Sequence, residues 1–244
     1  MFPSQVREAG YTLREIPSSI GASVGTGTHT AISSCMTTKM HTGELGNQTE
    51  DEQRGVASIE EQVGYGVLWD DTTPNISTGQ RQVVKQYRAY RSTVAGRVQP
   101  KEIEKRIECP TKRGNILSGQ PDLVDDGIRD VKTGVVHRVS LAQLGAYSLL
   151  TRAAGHGVAR LVEDYIQRVD IAKEQPAPVE FNYDVELAES VAANVINDVE
   201  EKYARFAETG DNLVFRANPS SVLCSSRWCA CFGSTFCREH TGAT

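Results

Sequence analysis

Apolar residues along this chain recur first at helical spacing, then at strand spacing, then at helical spacing again, and the switches predict its elements. From Gly21 to about Met40 a glycine-rich lead-in opens a helix carrying His29, Ile32, Cys35 and Met36, with Gly43 placed to end it. Residues 46–62 are polar and acidic, with Glu50, Asp51, Glu52, Glu60 and Glu61, and read as a solvated helix or excursion that carries no chemistry. Over residues 77–96, Val83, Val84, Tyr87, Tyr90 and Val94 form an apolar stripe at helical spacing. Three strands follow at about 101–108, 115–124 and 127–132, with turns at Lys112-Arg113-Gly114 and Asp125-Asp126-Gly127. A helix from about 140 to 154 starts at Ser140 and closes at Gly155. A strand at about 158–170 and a proline-containing break at 176–178 lead to a long helix from Asp184 to about Ala207. Val191, Val195, Val199 and Tyr203 line one side of it. This order predicts an α/β fold: a mixed central β-sheet flanked by helices, a helical N-terminal region and a small Cys-rich C-terminal module. Residues 1–20 are mixed in character and read as loosely attached.

Candidate chemistry concentrates at the second turn. Asp122 lies near the end of one predicted strand and Asp130 on the strand that returns beside it, so a reversal through Asp125-Asp126-Gly127 folds the carboxylates toward each other. Two adjacent carboxylates repel unless a cation lies between them, which points to a shared hard metal ion. Lys132, two residues beyond Asp130, falls on the same strand face and sets an ammonium beside that ion. These parts suit phosphodiester hydrolysis, although hairpins with such residues also occur as plain surface. Arg81, Lys85 and Arg88 share one helix face, which reads equally as a solvated basic face or as a DNA-binding surface that tracks phosphates.

Composition changes this picture little. The net charge of −5 disfavours a protein that coats nucleic acid nonspecifically, yet a metal site must itself gather carboxylates. No apolar run approaches the ~20 residues that span a bilayer, and the first residues lack a secretion-signal layout, so no membrane partner and a cytoplasmic location are expected. Four of the six cysteines, Cys224, Cys229, Cys231 and Cys237, crowd near the C-terminus, which in a reducing compartment reads as metal ligation before disulfides. Cys35 and Cys109 stand alone and read as small buried residues.

The segment Pro121-Asp122 … Asp130-Val131-Lys132 resembles the signature of the PD-(D/E)XK nuclease superfamily. Three further features are similar to its RecB-like exonuclease branch: Gly25-Thr26-Gly27-Thr28-His29, Asp130-Val131-Lys132-Thr133-Gly134, and Gln143-Leu144-Gly145-Ala146-Tyr147. The resemblance implies a restriction-endonuclease-like core and a Mg²⁺ (or Mn²⁺) ion held by His29, Asp122, Asp130 and the Val131 backbone carbonyl. It assigns catalytic roles to Asp122, Asp130, Lys132, Gln143 and Tyr147. Taken singly, His29 also reads as a half-buried or capping histidine, and Gln143 with Tyr147 as ordinary helix surface. Glu102 and Glu104 resemble an acidic position of the family, and alternate exposed glutamates account for them as well.

The cysteine tail resembles the C-terminal module of phage-encoded and CRISPR-associated members, in which three C-terminal cysteines join one N-terminal cysteine around an iron–sulfur cluster. By that likeness Cys224, Cys229 and Cys237 would ligate a [4Fe-4S] cluster. No cysteine precedes His29, however, where the family's N-terminal ligand lies. Cys231 is one candidate for the fourth ligand, and His240 is another, which would instead complete a Cys₃His zinc (Zn²⁺) site. The expected organisation is a nuclease domain over 1–217, with its core at about 99–172, and a metal-binding tail over 218–244. The expected activity is DNA hydrolysis, as an exonuclease on single strands or free ends, in recombination, repair or phage genome processing, alone or with a helicase or recombination partner. A structure-specific endonuclease on the same site and a non-catalytic nucleic-acid-binding module are the alternatives.

Overall fold

The structure, a computed structural model, describes residues 7, 10–211, 214, 224–235 and 237. The chain divides into two compact units, Ser18–Val195 and a smaller one drawn from Met1–Pro17 and Ile196–Thr244. In the larger unit a short strand β1 (Ser18–Ser19) leads into helix α1 (Ile20–Thr42), where the Ser19 hydroxyl accepts from the Ala22 amide as N-cap and Gly43 closes the helix in the left-handed region. Helix α2 (Gln48–Gly64) is capped by Asn47, and β2 (Val67–Leu68) pairs in parallel with β1. Helix α3 (Ile76–Tyr90) runs on as a π-helical turn over Arg91–Ala95.

The glycines of the first helix lie inside it, not ahead of it, and packing explains them. A Cβ on Gly27 would meet the Gly55 carbonyl oxygen at 2.8 Å, and one on Gly55 would meet the Gly27 oxygen at 2.7 Å. Helices α1 and α2 therefore cross backbone on backbone. Around this crossing Ile20, Val24, Ile59 and Val83 form a buried cluster. The acidic helix predicted to carry no chemistry is thus partly core: Gly55 and Ile59 are buried, and buried Asp51 accepts from the Ser34 and Tyr87 hydroxyls, both at 2.6 Å. Buried Lys39 donates to the carbonyls of Ala95, Gly96 and Val98 at 2.7–3.0 Å, satisfying the end of the π-helical turn.

The predicted strands occur, but two of them split. The region expected as one strand over 101–108 forms β3 (Glu102–Ile103) and β4 (Ile107–Pro110); that over 115–124 forms β5 (Ile116–Gly119) and β6 (Leu123–Val124). Strands β4 and β5 pair only with each other, and Gln120-Pro121 interrupts the second run because proline supplies no ladder donor. After β7 (Ile128–Gly134) come α4 (Leu141–Ala153), β8 (Leu161–Gln167), β9 (Val179–Tyr183) and α5 (Val185–Thr209), the last opened by Asp184 accepting from the Leu187 amide. Strand β9 was not foreseen. The central sheet has the order β3-β6-β7-β8-β9, antiparallel except for the parallel β7–β8 pair that α4 connects. The fold is α/β, with a mixed five-stranded sheet and helices on both faces.

Alternation along β7 divides the core. Val131 joins Leu123, Ile166 and residues of α1 and α3 on one face. Ile128 joins Leu144, Leu161 and Ala188 on the other, beneath α4 and the start of α5. Buried Arg129 ties three strands together, with both Asp164 oxygens at 2.8 and 2.9 Å and Glu180 at 2.9 Å. In the smaller unit, Arg14 donates to the Ser226 carbonyl, and its backbone amide reaches the Ala230 oxygen at 3.2 Å.

Candidate active site

The tight reversal between β6 and β7 settles the register that spacing left open. Leu123 faces Arg129 and Val124 faces Ile128, so one step further Asp122 stands across from Asp130. The Asp125 carboxylate accepts from the Gly127 amide at 2.9 Å and closes the turn, which is why the Asp-Asp-Gly sequence folds there. Beyond the start of β6, the Asp122 carboxylate accepts from the Val131 amide at 2.7 Å and lies 3.5 Å from His29 Nδ1. Lys132, on the same face of β7 as Asp130, brings its ammonium to 2.5 Å from Asp130 Oδ2.

Two helices complete the group. His29 comes from α1, which is held close to β7 because a Cβ on Gly25 would meet Thr133 Oγ1 at 2.7 Å. Gln143 comes from the first turn of α4; its Oε1 accepts from Lys132 Nζ at 2.9 Å, and its Nε2 donates to the Tyr147 hydroxyl at 2.7 Å. Their separation of four residues puts both on one helix face, as predicted. The six residues thus form two runs of contacts, His29–Asp122 and Asp130–Lys132–Gln143–Tyr147, which meet where Asp122 opposes Asp130 across the reversal.

The electrostatics of the set are coupled. Burial works against a charged His29, but the Asp122 carboxylate and then Asp130 outweigh it and raise its pKa. Burial would lift Asp122, yet His29, the Val131 amide and Lys132 hold it below the ordinary carboxylate value. Asp130 goes the other way, pushed up to about 6 by burial and by the neighbouring Asp122 charge. Burial disfavours a charged Lys132 as well, and Asp130 and Asp122 more than compensate, so its pKa is raised. Burial likewise raises Tyr147.

A divalent cation suits this donor set. Asp130 Oδ2 is buried and, despite the ammonium nearby, receives no directed hydrogen bond. The two carboxylates are the hard oxygen donors that Mg²⁺ or Mn²⁺ takes, and the imidazole adds a nitrogen of the kind transition metals take. As arranged, the acids contact His29 and Lys132, and among the described residues no three His, Cys, Asp or Glu groups stand at mutual metal-ligand spacing.

Other predicted residues find partners elsewhere. Lys85 donates to the Ile171 and Lys173 carbonyls, Arg88 pairs with Glu52 at 2.7 and 2.8 Å, and Arg81 reaches the Ser77 carbonyl. Two of the three basic groups on that face are thus engaged by other elements of the protein. Glu102 pairs with Lys105, while exposed Glu104 adopts a left-handed φ of 46° and its amide donates to the Asp122 carbonyl at 3.1 Å. Cys224, Cys229, Cys231 and Cys237 are unbridged and half-buried, and burial together with neighbouring Cys229 and Cys237 raises the Cys231 thiol. His240 lies outside the described residues.

Sequence reasoning missed the support beneath α4. Glu163, fully buried on β8 and paired in register with Asp130, accepts from the Ser140 amide at 3.0 Å and the Tyr183 hydroxyl at 2.7 Å, and contacts His137 Nε2 at 2.8 Å. The signal was an acidic pair, Glu163-Asp164, set between the apolar residues Leu161-Val162 and Tyr165-Ile166 of one strand. A buried carboxylate needs several partners, and here two of them, His137 and Ser140, come from the loop that leads into the helix carrying Gln143, while Tyr183 comes from β9.

No protein-family model matches the chain, nor does any curated protein. Among solved structures it resembles a protein from Eubacterium rectale described as a "Putative exonuclease", with TM-score 0.49 and 10% identity over 79% of this chain and 70% of that one. It also resembles the protein SSO0001, with TM-score 0.30 and 15% identity over 84% and 92% of the two chains. No helix among the described residues is long and apolar enough to cross a membrane. At these levels of likeness, the functional reading is carried by the site's own residues.

Proposed function

We propose that this chain is a metal-dependent DNA nuclease that hydrolyses phosphodiester bonds, acting from strand ends. The observation that carries the reading is the register of the β6–β7 reversal, which opposes Asp122 and Asp130 with Lys132 alongside and His29 and Gln143 in contact. His29, Asp122, Asp130 and the Val131 carbonyl would hold Mg²⁺ or Mn²⁺. When bound, such an ion polarises the scissile phosphate and lowers the pKa of a water nucleophile.

The chain's own groups account for the rest. Lys132 keeps its proton because Asp130 lies beside it, so it offers charged donors to a phosphate oxygen and to the attacking water. Gln143 holds the ammonium in place from the far side. The lysine, which can only donate, requires the Gln143 oxygen, and the Tyr147 hydroxyl accepts from the amide nitrogen that is left facing it. The four C-terminal cysteines would form a structural metal site, as an iron–sulfur cluster or zinc, which the absorbance of anaerobically purified protein distinguishes.

Purified protein is tested on linear and circular DNA, single- and double-stranded, with Mg²⁺, Mn²⁺ or EDTA. The proposal expects divalent-dependent loss of linear substrate, and Lys132→Ala abolishing it while DNA binding is largely retained. Cleavage of circular single strands would identify an endonuclease. Binding without cleavage under every metal condition would leave a non-catalytic module.

A further inference from the structure

The loop joining β7 to α4 is bounded by site residues at both ends, Lys132 on the strand and Gln143 on the helix, which are bonded to each other. Residues 135–139 read Val-Val-His-Arg-Val. Their middle residue points inward: the His137 ring stacks on Phe181 at 3.9 Å between centroids and 4° between planes, and its Nε2 contacts Glu163. Both stems are fixed as well. The Gly134 carbonyl accepts from the Tyr165 hydroxyl at 2.7 Å and the Arg168 amide at 2.8 Å, and the Ser140 amide is held by Glu163.

A loop tethered in this way holds its other side chains outward. Val135, Val136 and Val139 are 46%, 71% and 64% exposed. Single exposed valines are commonplace, but three on one anchored turn make a local apolar surface that gains from being covered. Between the last two stands Arg138, exposed and with no ion-pair partner among the described residues. A cation flanked by apolar groups complements a polymer that alternates anionic phosphates with apolar base faces. In a duplex those faces are stacked away, whereas unpaired nucleotides present them.

We propose that Val135, Val136, Arg138 and Val139 form a docking surface for unpaired nucleotides of the substrate, which makes the site selective for single-stranded DNA or frayed ends. Arg138 takes a phosphate, and the valines cover the adjoining bases and sugars. This rests on the nuclease reading for its substrate but uses none of the residues assigned to chemistry.

The test compares wild type with Val136→Ser/Val139→Ser and with Arg138→Gln. Fluorescence anisotropy in EDTA follows a labelled oligothymidine and a blunt duplex, alongside thermal melting, sedimentation and single-turnover cleavage in Mg²⁺. The expected result is about tenfold weaker oligothymidine binding by the double-serine variant, with duplex binding and melting unchanged. Arg138→Gln should reduce the salt dependence of oligothymidine binding by roughly the 0.7 in log–log slope that one single-strand phosphate contact contributes. Unchanged oligothymidine affinity in both folded variants overturns the inference, even if wild-type protein cuts DNA. Self-association of wild type that the serines abolish also overturns it, because a second copy then covers the valines. If wild type never cuts DNA but the variants lose oligothymidine binding, the docking surface stands and the nuclease reading falls.

Discussion

Gly145 sits on α4 between Gln143 and Tyr147, and substituting it with alanine sets two effects of opposite sign against each other. Helix propensity alone favours alanine by about 0.8–1 kcal/mol. Packing opposes it: a Cβ there would lie 1.9 Å from the Ala188 carbonyl oxygen, 2.4 Å from its carbon and 2.9 Å from Ala192 Cβ. Real Cβ contacts essentially never fall below 3.0 Å, and the obstacle is helical backbone that cannot swing aside, so α4 and α5 must separate by more than about 1 Å. Overpacking of this kind costs roughly 1–3 kcal/mol or more, and backbone against backbone belongs at the upper end. The net expectation for Gly145→Ala is a loss of about 2 kcal/mol, or roughly 4–8 °C in Tm for a unit of this size. Moving α4 also carries Gln143 away from Lys132, so cleavage should fall further than the folded fraction does. Gly64→Ala is the control, since a Cβ there meets nothing within 4 Å. Thermal melting and single-turnover cleavage are measured on both. A Gly145→Ala protein that melts at or above the wild-type temperature would refute the close-packing argument.

Other expectations test different parts of the molecule. Lys39→Met removes an ammonium from three carbonyls, two of them buried, and should cost about 2–3 kcal/mol by urea denaturation. Burial would raise Glu163, but Tyr183, His137 and Ser140 outweigh it and hold its pKa below the ordinary 4.5. Its stabilising contribution is therefore complete above the unfolded value and disappears as pH falls through the lower folded one. Glu163→Gln should accordingly flatten the fall in Tm below about pH 4.5, and an unaltered pH profile would contradict the assignment. Wild-type Tm should rise with added Mn²⁺ as binding stabilises the native state, and Asp130→Asn should lose that rise together with cleavage.

The local geometry around the candidate site was more legible in the sequence than the pairing of strands and helices in the frame around it. Asp-Asp-Gly between two apolar runs identifies a reversal, and the spacing of Gln143 and Tyr147 defines a helix face, because both depend on local geometry. The split of 115–124 depends on which neighbour each half pairs with, and pairing partners are distant in sequence. Strand β9 did carry an alternating signal in Val179, Phe181 and Tyr183, obscured by Pro176 and Pro178 just before it. The α1–α2 contact was hidden for another reason. Apolar periodicity cannot mark a seam whose key residues, Gly27 and Gly55, have no side chain, so the acidic helix looked solvated when its glycine edge was buried. The Arg81, Lys85 and Arg88 face looked available because a one-dimensional pattern does not show that Glu52 and the 171–173 carbonyls engage two of its members.

The glycines of α1 have a consequence for the imidazole they carry. Gly25 against the Thr133 hydroxyl of β7 and Gly27 against the backbone of α2 mean that, within a single turn, the helix rests on neighbours on two sides with no side chain of its own between. His29, one turn further on, inherits its reach toward Asp122 from those two hard stops. A methyl group at either stop acts like a shim under a bearing, tilting the helix and lifting the ring by a similar distance. Among diverged sequences of this kind, two small residues spaced i, i+2 ahead of the histidine should therefore persist even where the surface of the helix has been rewritten.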